Sequence, residues 1–233
     1  MTEQNKFNNT HKPLLLGDEV PNFTAETSTG QIEFHKWLGQ SWAILFSHPA
    51  DFTPVCTTEL GRVSKLMPEF EKKGVKVIAL SCNDADTHKE WIKDVDHYSS
   101  CKVNYPIIAD ADRNISKKFG MLQTEAPTDA KGLPMTVRSV YIIGPDRKLK
   151  LTITYPASCG RNFDEILRVV DSLQLTHNKQ LATPVDWKQG QDCIIAPTVS
   201  KQDADKDYKG YKTHQLPSGK EYLRTVNPKD VTK

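Results

Sequence analysis

Apolar residues come in short dense runs separated by stretches with helical spacing. WAILFS (42–47), VKVIALS (75–81) and YPIIAD (105–110) are nearly continuous apolar segments, the pattern of buried strands in a parallel sheet. Between the first two, Leu60, Val63, Met67 and Phe70 recur at three- and four-residue intervals and predict a helix, with Pro68 expected to kink or break it. A second helix is expected around 86–98, carrying Trp91, Ile92 and Val95, and a short third one over 114–121. VRSVYII (137–143) and LKLTITY (149–155) flank the turn segment GPDRK, and the second run alternates as a half-buried antiparallel strand does. Asn162 followed by Glu165 starts a final helix in the manner of a capping box, and Phe163, Ile166, Leu167, Val170 and Leu173 line one of its faces. The order β-α-β-α-β-α-β-β-α predicts an α/β protein with a mixed sheet flanked by helices, in the thioredoxin-like class.

Residues 1–12 are polar, and beyond about 179 the pattern thins out. Prolines recur at 184, 197, 217 and 228, and apolar residues such as Trp187, Ile194, Ile195 and Val199 are sparse. Three segments are therefore expected: a loose N-terminus (1–12), a main domain (13–178) and a C-terminal extension (179–233) that drapes over the main domain or a partner subunit.

The chemistry concentrates in SHPADFTPVCTTELG, 47–61. With Thr53 as N-cap, Pro54 falls at N1, where its missing N–H costs nothing, and Cys56 falls at N3. A sulfur in the first helical turn faces unpaired backbone N–H groups and the positive end of the helix dipole. Both favour thiolate, the form that attacks. Thr53 also stands where a C-x-x-C redox pair would carry its first cysteine, which argues against thioredoxin-type disulfide exchange.

Composition narrows the classes. A balance of 31 Lys+Arg against 29 Asp+Glu leaves a net charge of +2, too even for a nucleic-acid binder or a polybasic membrane surface. The N-terminal segment lacks the apolar core of a secretory signal, and no run approaches a membrane span, so a cytoplasmic protein is expected. Five cysteines (56, 82, 101, 159 and 193) at long spacings suit neither a disulfide framework nor a zinc site, and no metal or cofactor is expected. Cys82 ends an apolar run and reads as a small buried hydrophobe, and Cys101 as a loop thiol without a role.

Pro49, Thr53 and Cys56 match the P-x-x-x-T/S-x-x-C motif of the peroxiredoxins. Further segments, LLLGDEVPNF (14–23), SWAILFSHP (41–49), ITYPASCGRNFDEILRVVDSLQLT (153–176) and TPVDWK (183–188), resemble the one-cysteine, peroxiredoxin-6 subgroup. The resemblance implies that Cys56 is the peroxidatic nucleophile, that Thr53 hydrogen-bonds peroxide and thiolate, and that Pro49 shields the sulfur from water. It implies that Arg138 holds the thiolate and polarises the peroxide, with His48, Glu59 and Arg161 as supporting residues. Cleaving O–O expels an oxyanion, so fixed donors must point where charge develops, and a guanidinium supplies a rigid, permanently charged fork of them.

Cys193 lacks the V-C-P setting of a resolving cysteine, so an external thiol is expected to recycle Cys56. Glutathione, delivered by a glutathione S-transferase, is the reductant the resemblance suggests. Cys159, beside Gly160 in the region of the second arginine, is assigned no role. Hydrogen peroxide and organic or phospholipid hydroperoxides are the expected substrates, and a homodimer the expected assembly. The resemblance also carries an alternative, a calcium-independent phospholipase A2 using Ser41, His35 and Asp146. Here G-x-S-x-G becomes Gly39-Gln40-Ser41-Trp42-Ala43, and Ser41 precedes a predicted strand where a nucleophile elbow would follow one. A non-catalytic oligomeric binder, the third class, would require a slowly alkylated thiol at position 56.

Overall fold

In a computed structural model of the protein, the apolar runs become the middle of a seven-stranded sheet. Residues 14–122, 127–177 and 179–231 are described. The chain divides into two units, residues 1–161 and 162–233.

The first unit contains β1 (Thr24–Thr27), β2 (Gly30–Glu33), α1 (Phe34–Leu38), β3 (Trp42–Ser47), α2 (Pro54–Lys72) and β4 (Val75–Ser81). It continues with α3 (Ala85–Ser99), β5 (Ile107–Ala109), α4 (Asn114–Phe119), β6 (Arg138–Ile143) and β7 (Leu149–Tyr155). The strand order is β2-β1-β5-β4-β3-β6-β7. β3, β4 and β5 are parallel neighbours, β6 is antiparallel to β3, and β7 is antiparallel to β6. This is the mixed sheet of the thioredoxin-like class. The most apolar runs take the central places because only there are both faces of a strand covered. β7 forms the edge, and its outward residues alternate accordingly.

The core of this unit gathers Leu38, Leu45, Ile78, Leu80 and Tyr141 with an aromatic group, in which Phe23 stacks on Phe34 at 4.6 Å and Phe119 meets both edge-on. α2 buries Cys56, Glu59, Leu60, Val63, Met67 and Phe70 along one stripe. It meets α3 closely at Gly61, where a Cβ would lie 1.8 Å from Ser99 Oγ. Of the kink or break expected at Pro68, the break does not occur, and α2 runs on through it. Pro68 points to solvent while Leu66, Met67 and Phe70 around it are buried, so packing holds the helix across one missing hydrogen bond. The β1–β2 hairpin, between 24 and 33, is not predicted by the sequence pattern. Strands of four residues carry too little periodicity to register.

The second unit opens with α5 (Phe163–His177), whose first turn is capped by Asn162 Oδ1 accepting from the Asp164 and Glu165 backbone N–H groups. The capping box is half made, because Glu165 turns to Arg168 at 2.6 Å. β8 (Leu181–Ala182), β9 (Cys193–Ile195), α6 (Lys201–Asp207), β10 (Lys212–Thr213) and β11 (Arg224–Val226) follow. Their sheet order is β10-β11-β9-β8, all antiparallel. Trp187, Cys193, Ile195, Val199, Ala204, Tyr208 and Val226 form a buried cluster here. The sparse apolar residues beyond 179 thus build a small antiparallel sheet around a buried cluster. No helix among the described residues is long and apolar enough to cross a membrane.

Candidate active site

The backbone of Thr53 is extended, Pro54 opens α2, and the Thr57 N–H donates to the Thr53 carbonyl at 3.0 Å. Cys56 therefore occupies the third helical position, as the sequence predicted, and its side chain is fully buried. Thr53 does not cap with its hydroxyl. Its Oγ1 donates instead to the Ala50 carbonyl at 2.8 Å, tying the preceding loop to the helix start. Pro49 is buried in that loop. Phe52, immediately before Thr53, has φ of 54° and is 54% exposed, so this turn holds a bulky residue in the left-handed region.

Arg138 opens β6 and reaches Cys56. Its Nη1 donates to Sγ at 3.3 Å and to Glu59 Oε2 at 2.8 Å, while Nε and Nη2 both donate to the Ala157 carbonyl, at 2.9 and 2.7 Å. Glu59 lies one position short of a full helical turn beyond Cys56, so both face the same way. Its carboxylate also accepts from Arg161 through Nε (3.0 Å), Nη2 (2.7 Å) and the backbone N–H (2.8 Å). The Arg161 guanidinium lies 5.0 Å from the Phe46 ring centre and donates to the Ser139 carbonyl at 3.1 Å. Burial pushes the Glu59 carboxyl up, but the charge and hydrogen bonds of Arg161, then the charge of Arg138, outweigh it. The group is held below its ordinary range. One buried carboxylate thus fixes two buried arginines, and the pair leaves an excess positive charge facing the sulfur.

A second buried cluster adjoins it in sequence. His48 Nε2 bonds Asp51 Oδ1 at 2.9 Å, and His88 Nδ1 bonds Asp51 Oδ2 at 2.6 Å. His88 Nε2 meets the Ile108 carbonyl at 3.1 Å, so both its ring nitrogens face acceptors. Burial would raise the Asp51 carboxyl, yet the bonds from His48 and His88 carry it down to about 2. Burial lowers the His48 imidazole, against the opposing pull of Asp51. His48 Nδ1 is buried without a hydrogen-bond partner among the described residues. Asp51 and His88 escaped the sequence reading. For His88 a signal existed, since positions 88, 91 and 95 share the buried face of α3.

The remaining candidates bond other partners. His35 Nε2 bonds the Val20 carbonyl at 2.8 Å, and Asp146 Oδ2 accepts from Lys150 at 2.6 Å. The Ser41 backbone N–H donates to the Leu38 carbonyl, and Ser41 leads into β3. Among the described residues no hydrogen bond joins Ser41, His35 and Asp146. Of the other thiols, Cys82 is half-buried and pushed up to about 11, chiefly by burial. Burial also raises Cys101 and Cys193. Cys159 is exposed.

The AhpC/TSA family matches residues 16–152, and the C-terminal domain of 1-Cys peroxiredoxin matches residues 172–210. Peroxiredoxin-6 of Gallus gallus is 58% identical over 216 residues, covering 91% of this chain and 96% of its own. The Homo sapiens protein of that name is 56% identical over the same coverage. Among solved structures, a cysteine-to-serine mutant of the peroxiredoxin 6 of Arenicola marina superposes with a TM-score of 0.90 at 51% identity, covering 92% of this chain and 98% of its own. A yeast mitochondrial 1-Cys peroxiredoxin superposes with a TM-score of 0.84 at 42% identity, covering 92% and 99%. That protein is described as having its thiol resolved through glutathione/thioredoxin systems.

Proposed function

The chain belongs to the AhpC/TSA family, on its one-cysteine peroxiredoxin branch, and is a thiol-dependent peroxidase; from that premise we propose that Cys56 is its peroxidatic sulfur. The observation that carries the assignment is the Arg138 guanidinium 3.3 Å from Sγ, braced by Glu59 and the Ala157 carbonyl. The Cys56 thiolate attacks one peroxide oxygen, the O–O bond breaks, and the leaving oxygen departs as water or an alcohol once protonated. Cys56 is left as a sulfenic acid. Arg138 orients the reacting sulfur and donates to the oxygen where charge grows. The Thr53 hydroxyl spends its proton on Ala50, which frees its lone pairs to accept from the peroxide O–H. Pro49 keeps water from the sulfur, while Glu59, Arg161 and His48 position the groups that touch substrate.

Hydrogen peroxide and organic or phospholipid hydroperoxides are the proposed substrates, in antioxidant defence. An external thiol then reduces the sulfenic acid, with glutathione as the proposed donor and a glutathione S-transferase as its carrier. The description of the yeast relative supports a glutathione or thioredoxin route. A cytoplasmic homodimer with a main domain over 13–178 and an extension over 179–233 completes the proposal. The test is peroxide consumption with glutathione, thioredoxin and ascorbate as alternative donors, using wild type and Cys56→Ser. Loss of turnover in the variant is expected with every donor, and full turnover would overturn the assignment.

A further inference from the structure

α3 grips the peroxidatic loop on both sides of Thr53. Before it, His88 Nδ1 meets Asp51 Oδ2 at 2.6 Å. After it, Trp91 Nε1 donates to Thr57 Oγ1 at 3.1 Å, and that hydroxyl donates to the Thr53 carbonyl at 2.9 Å. The His48 ring touches both grips, 5.1 Å from the Trp91 ring centre and bonded to Asp51. The loop hangs from this frame: the Asp51 backbone N–H donates to Asn83 Oδ1 at 3.1 Å, and the Thr53 hydroxyl to the Ala50 carbonyl. Hydrogen accounting places the protons. An ionised carboxylate and a backbone carbonyl only accept. His88 faces one of each, Asp51 Oδ2 and the Ile108 carbonyl, so its ring donates from both nitrogens. Asp51 Oδ1 accepts from His48 Nε2 and, at 3.3 Å, from Ser81 Oγ. His48 Nδ1 is left as a bare lone pair, buried and without a partner among the described residues. Asp84, at the N-cap of α3, and Arg161 are the other charged groups that act on the cluster, and Arg161 opposes a second proton on His48.

We propose that His88 and Asp51 are positioning residues for peroxide reduction, which hold the loop from His48 to Thr53 and fix His48 as the uncharged ring with its proton on Nε2. The proposal rests on the reading of Cys56 as the peroxidatic sulfur. His88 keeps the extra proton of the cluster, so Asp51 stays an anion and His48 stays neutral in the field of Arg161. All three side chains are buried, His48 and His88 fully and Asp51 to 5% exposure, so water does not replace a lost partner. Without the His88 N–H, Asp51 turns toward its remaining donors, and the Ala50 carbonyl next to it shifts. The Thr53 hydroxyl then loses the acceptor that aims it. Placement of the reacting groups, rather than the charge on the sulfur, is what the pair supplies.

The test compares reduced full-length wild type, His88→Leu and His88→Asn. His88→Asn keeps a side-chain N–H toward Asp51 and gives up the one toward Ile108, whereas His88→Leu keeps the bulk and removes both. Nitrogen NMR of isotope-labelled histidines at neutral pH, assigned through single variants, should show wild-type His48 protonated at Nε2 alone and His88 at both nitrogens. Stopped-flow peroxide reduction should slow by about 10- to 100-fold in His88→Leu, the scale of a misplaced reacting group, while His48 becomes a mixture of tautomers. His88→Asn should recover most of the rate and the His48 signature together. A wild-type His48 protonated at Nδ1 overturns the proposal. So does a slowed His88→Leu with unchanged His48 signals, which is a loss of packing alone, and so does a His88→Leu rate within about threefold of wild type. If His88→Leu does not fold, the wild-type spectrum and His88→Asn carry the test. A His88→Asn protein that loses the Nε2-protonated form of His48 yet keeps the wild-type rate then overturns it. Wild type that forms no dimedone adduct at Cys56 overturns the peroxidatic reading instead, before any variant is compared.

Discussion

Replacing Glu59 by glutamine keeps the shape of the side chain and removes its charge. The carboxylate accepts four N–H groups, three from Arg161 and one from Arg138, all at 2.7–3.0 Å. A glutamine oxygen can serve one side of this arrangement, but its NH2 then faces guanidinium donors that have no acceptor to offer. Two buried guanidinium groups then lose their shared anion. Removing one partner of a buried ion pair costs about 3–5 kcal/mol, and the low exposure of all three side chains leaves little solvent to soften it. The same change frees Arg138 from its brace and moves the donor off the sulfur. Loss of one preorganised donor lowers turnover by roughly 10²–10³-fold. Urea unfolding followed by tryptophan fluorescence measures the first effect, and the second-order rate of peroxide reduction the second. A Glu59→Gln protein within about 1 kcal/mol of wild type and within about threefold in rate would refute the reasoning.

Other perturbations probe separate parts of the structure. Gly61→Ala places a methyl against Ser99 and should cost roughly 1–3 kcal/mol, read as a fall in melting temperature that Ser99→Gly relieves; an unchanged melting temperature contradicts the close approach of α2 and α3. Pro68→Ala restores a helical N–H and should stabilise by about 2 kcal/mol after the lost rigidity of the unfolded chain is counted, so a lower melting temperature would speak against it. Acid should weaken the fold in two stages. His48 is lowered in the folded state, so the unfolded chain binds its proton first and stability falls as pH drops below about 6.5. Asp51 is held at about 2, so its contribution is complete above the ordinary carboxylate range and is lost as pH falls toward that value. Asp51→Asn should flatten the acid limb of a melting-temperature profile, and an unaltered limb would exclude the cluster as its source. Ser41→Ala should leave peroxide turnover unchanged, since Ser41 shares no hydrogen bond with the Cys56 cluster among the described residues; a large loss would implicate β3's entry in the chemistry.

Local features were legible in the sequence. The register of Cys56 follows from Thr-Pro at a helix start, and β3, β4 and the β6–β7 hairpin follow from dense or alternating apolar runs. What joins distant positions was not readable from pattern. Glu59 is separated from Arg138 by 79 residues and from Arg161 by 102, and no periodicity spans such intervals, so the two arginines entered only through resemblance. The Asp51–His88 bond spans 37 residues and was missed altogether. Pro68 shows local propensity overruled by packing, and strands of two or three residues such as β8 and β11 are too short to leave a period.

The most direct measurement locates the first oxidised atom. Protein exposed to less than one equivalent of hydrogen peroxide, quenched with acid within milliseconds and mapped by mass spectrometry, should carry its first sulfur oxidation at Cys56, the thiol beneath the Arg138 guanidinium. If oxidation began at Cys159 or Cys101 while Cys56 stayed reduced, the buried arginine–carboxylate cluster would not be the site of peroxide chemistry.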